Sequence, residues 1–271
     1  MTSAPSRLIY QVYVGTESRL YDFCTANVAA YCRHHGIDYV VQREPVLRIQ
    51  PDPKTSGRSE GAARLGYLPI FEKENALAYL GEYDQVAVID ADVYVRPTAP
   101  NIFEDVDPEV DFAGVVERQM PITDSYRNKI RGYSSMQYDR LDDVDWNWNQ
   151  DGAEFMNMGV MVMNYSLARF IDQSPAEFLA RPEFKRFVDG VGGWKWSTDQ
   201  TLLNWWLRAC GAKVQHLDWR WNGLYKAVPI EEIITAHFVH FFLSVHLPDK
   251  GENVEQLLGE MAMVEARANA Q

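Results

Sequence analysis

The stretch Val86-Ala87-Val88-Ile89-Asp90-Ala91-Asp92-Val93-Tyr94-Val95 decides the fold. An apolar run ends in two carboxylates one residue apart, with a small residue between them. Side chains alternate across a strand, so positions i and i+2 point the same way. Asp90 and Asp92 are therefore expected to converge just past a buried strand. Paired hard oxygen ligands suit Mg²⁺ or Mn²⁺, and such a metal commonly shares its shell with phosphate oxygens. The competing reading is a plain turn or helix cap, for which Asp is a common choice.

The flanking sequence supplies the rest of a sheet. Leu8 to Val14 reads as a first buried strand. Ser18 to His35 carries Leu20, Cys24, Val28 and Tyr31 at helical spacing, with Gly36 as its stop. Ile37 to Val41 is a second strand, and Arg43 to Ser59, with three prolines and a glycine, is a loop. Glu60 to Leu80 has a helical pattern with a kink expected at Pro69. Strands alternating with helices, the strands continuously apolar, predict a mostly parallel α/β sheet flanked by helices. Ligands bind such sheets beyond the carboxyl ends of the strands. Both acids lie at that edge, as does Val14-Gly15-Thr16, where Gly15 allows close backbone approach.

Composition narrows the function. The chain has 271 residues, 46% hydrophobic and 24% charged, as expected of a globular protein holding one large α/β domain or two small ones. A net charge of −12 argues against a general nucleic-acid binder, because phosphate backbones demand a basic surface. No apolar segment approaches the ~20 residues a membrane span needs, and no signal-peptide pattern is present, so the cytoplasm is the expected location. Cys24, Cys32 and Cys210 have no metal-binding spacing and read as reduced, mostly buried small hydrophobes.

The second half is less regular. Phe112 to Glu117 and Phe155 to Asn164 read as strands, Thr235 to Phe242 as a late strand, and Asn253 to Arg267 as a closing amphipathic helix. Ser174-Pro175-Ala176-Glu177 is a capping box with proline at the first helical position. Arg118 to Gly152 is too long for a plain connector and reads as a functional insertion. There Tyr126, Tyr133, Tyr138, Trp146 and Trp148 alternate with Asp139, Asp142, Asp143 and Asp145, a mixture suited to stacking on sugar rings and bonding their hydroxyls. All eight tryptophans lie between Trp146 and Trp221; Trp205-Trp206, inside a helix, read as core.

Three later segments carry chemistry. In Phe155-Met156-Asn157-Met158-Gly159, both Asn and Gly are out of place in an apolar strand. Gly159 suggests close approach by a ligand, and Asn157 offers a donor and an acceptor to sugar hydroxyls. A bulge whose Asn bonds its own backbone is the alternative. Asp199-Gln200 opens a helix and, without context, reads as capping. Val239-His240-Phe241 places an imidazole at a strand end, where it can complete a metal shell or be a satisfied core residue.

Taken in order, Asp90-Ala91-Asp92, Phe-x-Asn157-x-Gly159, Asp199-Gln200-x-x-Leu203-Asn204 and Val239-His240-Phe241 resemble glycosyltransferase family 8 and its relatives, among them glycogenin-like and bacterial lipooligosaccharide galactosyltransferases. Ala63-Arg64-Leu65 is similar to the Arg-Leu on the helix before the Asp-x-Asp strand. The resemblance runs from about Leu8 to Lys250. It implies a single GT-A (Rossmann-like) α/β domain over residues 1–271, with a nucleotide-binding half (1–117), an acceptor and catalytic half (118–252) and a C-terminal helix (253–271). It implies that Asp90, Asp92 and His240 ligate Mn²⁺ or Mg²⁺ on a nucleotide diphosphate. Val14, Gly15 and Thr16 would line the nucleoside pocket, and Ala91, Arg64, Asn157 and Gly159 would meet the donor. Asp199 and Gln200 would be the catalytic pair beside the transferred sugar. The family's closing pattern has a glycine and a Lys-Pro after the histidine. Here Leu243 and His246 stand at those positions and Lys250 follows Pro248, which leaves His246 and Lys250 both as candidates for the diphosphate clamp.

The expected activity is transfer of a hexose from a UDP-sugar, or a GDP-sugar, to a glycan or other hydroxyl acceptor, with retention as the resemblance implies. Tyr133, Trp146 and Trp148 are the expected acceptor contacts. Two rivals stand. A sugar-phosphate nucleotidyltransferase normally has a Gly-rich basic loop after the first strand, of which Gly15-Thr16-Glu17-Ser18-Arg19 is a poor version. A non-enzymatic carbohydrate-binding protein would use the tryptophan-rich surface alone.

Overall fold

The computed structural model of the chain describes residues 5–242 and 244–268; Leu243 lies outside the described residues. From the N-terminus run β1 (Arg7–Val12), α1 (Arg19–His35), β2 (Asp38–Gln42), α2 (Glu60–Leu65), β3 (Gln85–Ile89), β4 (Val93–Val95) and β5 (Phe112–Val116). Then follow α3 (Asp124–Tyr138), β6 (Met156–Asn164), α4 (Pro175–Leu179), α5 (Lys185–Asp189), α6 (Asp199–Ala209), β7 (Val214–His216), β8 (Gly223–Leu224), α7 (Ile230–Ile233), β9 (Phe238–His240) and α8 (Val254–Ala268). Six strands form one sheet in the order β2-β1-β3-β6-β5-β7. β2, β1 and β3 pair in parallel, as do β5 and β7; β6 alone runs against both its neighbours. The mostly parallel α/β sheet is as the sequence predicts. Every residue of β3, β5 and β6 is buried, which accounts for their unbroken apolar reading. At about 1.5–3 kcal/mol per buried aliphatic side chain, these central strands carry much of the stability. β4, β9 and β8 make a small second sheet at its edge.

Local signals hold at several boundaries. Ser18 caps α1 by accepting from the Tyr21 N–H, and Gly36 ends it at φ +65°. The Ser174/Glu177 capping box is formed in full. Cys24 and Cys32 are buried and unpaired, and Cys210 is half-buried.

Two segments differ from expectation. The predicted kinked helix over 60–80 is two pieces. α2 stops at Leu65, Gly66 turns left-handed at φ +72°, and Pro69 opens a separate run of 3-10 turns to Gly81. Proline belongs at such a start, because its missing N–H is an orphan there anyway. The buried Glu72 carboxylate accepts the backbone N–H groups of Val46, Leu47 and Arg48 at 2.7, 3.0 and 2.7 Å, fixing the preceding loop to this run. The second segment, Arg118 to Gly152, holds a true helix. α3 is capped by Thr123, and its Tyr126, Ile130, Tyr133 and Gln137 recur at helical spacing, a signal hidden by the surrounding charges. Trp146, expected to hold an acceptor, is core: its indole N–H donates to the Leu141 carbonyl at 2.8 Å and its ring packs 4.3 Å from that of Tyr138.

Candidate active site

β3 ends at Ile89, and Asp90–Asp92 form a turn, closed by Val93 N–H to the Asp90 carbonyl at 3.2 Å, before β4 begins. The acids thus converge through a turn rather than through strand alternation. β9 pairs antiparallel with β4, setting His240 opposite Val93, while Phe241 N–H donates to the Asp92 carbonyl at 3.0 Å. That ladder brings the His240 Nε2 within 3.3 Å of Asp92 Oδ1 and 3.8 Å of Asp90 Oδ2. One ligand atom from each of the three lies within 4.8 Å of the others.

The imidazole is oriented from behind. His240 Nδ1 sits 3.0 Å from Asn222 Oδ1, Asn222 donates to Asn157 Oδ1 at 2.8 Å, and Asn157 donates to Glu117 Oε1 at 2.7 Å. With Nδ1–H held by Asn222, the lone pair on Nε2 faces the two acids, the tautomer a metal ligand needs. Burial works to lower the His240 pKa, but the Asp92 and Asp90 carboxylates outweigh it and raise it. Burial works upward on Asp92, and His240 holds it below the usual carboxylate range. The cluster favours positive charge at its centre. A donor set of two carboxylates and one imidazole fits Mn²⁺ or Mg²⁺.

Gly159 and Asn157 serve this centre from within the protein. A Cβ at Gly159 would collide with His240 Cε1 and lie 2.5 Å from Nδ1. The close approach that the sequence assigned to a donor is therefore made by the imidazole. Asn157 accepts the Gly159 N–H at 2.9 Å, and β5 shifts register beside it between Gly114 and Val115, so the bulge with a locally bonded Asn is what forms. Gly159→Ala is expected to displace the ring, weaken Mn²⁺ binding about 10- to 100-fold and cost about 1–3 kcal/mol. Calorimetric Mn²⁺ titration and urea unfolding check this; an unchanged affinity would remove the glycine's assigned role.

A cation that sequence reasoning missed joins Asp90 to Asp199. Lys73, in the 3-10 run after Pro69, lies 2.9 Å from Asp90 Oδ1 and 2.8 Å from Asp199 Oδ2, and donates to the Met158 carbonyl at 3.1 Å. Burial works to lower its pKa, but Asp199 and Asp90 raise it, so it stays charged. Thr198 caps α6 by accepting the Gln200 N–H, and the Asp199 carboxylate beside it reaches Lys73. Gln200 accepts from Met158 N–H at 3.4 Å. Beside Lys73, the buried Glu74 has no hydrogen-bond partner on either carboxyl oxygen among the described residues, and burial and then Asp199 push its pKa well above 4.5. A raised acid contributes stability fully present below its unfolded pKa and lost as pH rises. Glu74→Met is thus expected to stabilise the protein by about 1–3 kcal/mol at pH 7–8 and by little at pH 4. Urea unfolding across that range checks the trend, and an equal gain at both ends would contradict it.

No family model and no curated protein matches the chain. Similar solved structures include a glycosyltransferase involved in glycosylation of the major capsid of PBCV-1, at 15% identity and a TM-score of 0.47 over 93% of this chain and 100% of that one. Mouse xyloside xylosyltransferase 1 in its apo form is similar at 12% identity and 0.48, over 90% and 100%. Galactosyltransferase LgtC, in complex with donor and acceptor sugar analogs, is similar at 16% identity and 0.49, over 86% of each chain.

Two cavities flank Asp199-Gln200. One, of about 280 Å³, is lined by Val14, Tyr21, Ile70, Lys73, Asp90, Ala91, Asp92 and Asp199. Beside Val14, Gly15 sits at φ +107° with open space around it, so its conformation, not crowding, calls for glycine. The other cavity, of about 310 Å³, has Glu117, Tyr126, Tyr133, Thr198, Gln200 and Phe242 in its walls. Tyr133, an expected acceptor contact, lines this cavity, and so does Glu117, which no sequence pattern singles out. A larger cleft, of about 860 Å³, lies at the opposite end of the sheet around Arg7 and Arg169, away from the acids. Other expected contacts are not gathered in. Arg64 is exposed and pairs with Glu60 at 3.7 Å, and Trp148 is exposed and lines neither cavity. His246 and Lys250 are exposed; Asp249, Lys250 and Gly251 are consecutive left-handed residues, at φ +47°, +55° and +101°.

Proposed function

We propose that this chain is a metal-dependent, retaining GT-A glycosyltransferase that moves a hexose from a UDP-sugar to a hydroxyl acceptor. The observation that carries the reading is the Asp90–Asp92–His240 cluster at the carboxyl edge of the sheet, with a cavity on each side of Asp199-Gln200. Bound there, Mn²⁺ or Mg²⁺ would neutralise the charge that builds on the departing diphosphate. The chain's residues supply the rest. Val14 lines the cavity on the metal side, where the nucleoside would sit, and Gly15 follows it in the chain. Lys73 holds the Asp199 carboxylate toward the acids, a preorganised partner for the oxocarbenium-like sugar. Gln200 stands between the two cavities and orients the sugar against the acceptor hydroxyl. In the retaining reaction that hydroxyl attacks from the leaving group's side, its oxygen bonds to the anomeric carbon as the sugar–phosphate bond breaks, and its proton passes to the departing diphosphate.

Lys250 is the better candidate for the diphosphate clamp. Glu252, two residues on, accepts the Arg19 backbone N–H at 3.0 Å and the Ser18 hydroxyl at 2.8 Å, so this turn sits beside the Gly15–Ser18 loop. Strained backbone of this kind concentrates at functional sites. The same carboxylate argues against the nucleotidyltransferase. It occupies the N-terminus of α1, where a triphosphate would need donors free.

Thermal melts with UDP-, GDP-, ADP- and CMP-sugars, each with and without Mn²⁺, test the proposal. A UDP-sugar at a hundred times its Kd is expected to add about 2.7 kcal/mol, with Mn²⁺ only. Pyrophosphate release from a sugar phosphate and a nucleoside triphosphate would overturn it.

A further inference from the structure

α3 carries three cations over five residues. Arg127 and Arg131 both pair with Asp151, at 3.2 and 3.8 Å. Lys129 is exposed, has no carboxylate or hydrogen-bond partner among the described residues and lies in the wall of the 310 Å³ cavity beside Gln200. The cavity is built for a sugar ring. Tyr126, Tyr133 and Phe242 offer aromatic surface, and buried Glu117, held by Asn157 and Tyr126 at 2.7 and 3.3 Å, provides a fixed carboxylate below them. Glu117 and Gln200 can bond the hydroxyls of a neutral sugar, and the Lys129 ammonium adds a positive charge that an anionic group would draw on more strongly than a hydroxyl. In a chain of net charge −12, this exposed cation in the cavity wall is left free to meet an anion.

We propose that the acceptor is an acidic carbohydrate, with its ring against the tyrosines and a carboxylate or phosphate ester on Lys129. This rests on the glycosyltransferase reading and adds the acceptor's charge to it. An ammonium serves either anion, since it acts as a point charge without the planar fork that selects between them.

The test compares kcat/KM for matched acceptors: a neutral hexoside, the corresponding uronic acid and the corresponding sugar phosphate. The wild type is expected to prefer an acidic acceptor about tenfold, as a charge-assisted hydrogen bond allows. Which acid is preferred separates the carboxylate from the phosphate source. Lys129→Met should bring the acidic-to-neutral ratio near one and Lys129→Arg should keep it; a ratio within one variant is insensitive to how much of that variant folds. A wild type that treats all three alike, or a Lys129→Met variant that keeps the preference, overturns the proposal. If no UDP-sugar is hydrolysed or transferred at all, the glycosyltransferase reading falls and this proposal with it; hydrolysis without acidic preference sinks this proposal alone.

Discussion

Asp92→Asn is expected to lower sugar transfer by about 10³-fold or more while the protein still folds. Removing one preorganised electrostatic group from an active site commonly costs 10²- to 10³-fold, and here the lost group is one of the three side chains proposed to hold the metal. Asparagine keeps the volume, and the Asp92 side chain lies in a turn outside the β3 core, so no apolar contact is lost. What changes is charge. His240 Nε2 loses the carboxylate 3.3 Å away that raises its pKa. The sign follows from both shifts. Asp92, lowered below 3.8, contributes stability that is present above that pH and lost on acidification. His240, raised above 6.5, contributes stability that is present below that pH and lost as pH rises. The metal-free variant should therefore fall furthest below the wild type between pH 3.8 and 6.5. Donor hydrolysis with Mn²⁺ and melts over that range measure both effects. Wild-type turnover in the variant would end the assignment.

Lys73→Met is expected to cost about 3–5 kcal/mol, the usual penalty for removing one partner from a buried ion pair and leaving the other charge uncompensated. Here two carboxylates are left, Asp90 and Asp199, at 2.9 and 2.8 Å from the deleted nitrogen, and the Met158 carbonyl loses its donor at 3.1 Å. Mn²⁺ should recover part of that stability, because it returns positive charge beside Asp90. Sugar transfer should fall with it, since Asp199 then loses the cation that fixes its carboxylate. Urea unfolding with and without Mn²⁺ checks the prediction. A loss under 1 kcal/mol would mean that solvent, not Lys73, compensates the acids.

The sequence displays its own anomalies well and their partners poorly. Asp-Ala-Asp after four buried residues points to the centre without help, because burial on both faces forces the apolar run. Asn157 and Gly159 are equally visible as residues a strand avoids, yet their partners, Asn222 and His240, lie 65 and 81 positions away and no local pattern names them. A ligand is the natural guess for the space that an imidazole fills. Lys73 has the opposite problem. A lysine in a helical pattern reads as a solvated face, and only the turn from Leu65 to Pro69 carries it inward between two carboxylates. Arg64 stands earlier and is exposed. Trp146 shows that an aromatic among acids is no proof of a binding surface: Tyr138 and the Leu141 carbonyl satisfy both its ring and its N–H.

The most direct test is anomalous diffraction at the manganese edge from crystals soaked in Mn²⁺ and UDP. One strong peak is expected within bonding distance of Asp90, Asp92 and His240 Nε2, continuous with the diphosphate. UDP bound elsewhere, or a well-ordered cluster with no peak among these three side chains, would contradict it.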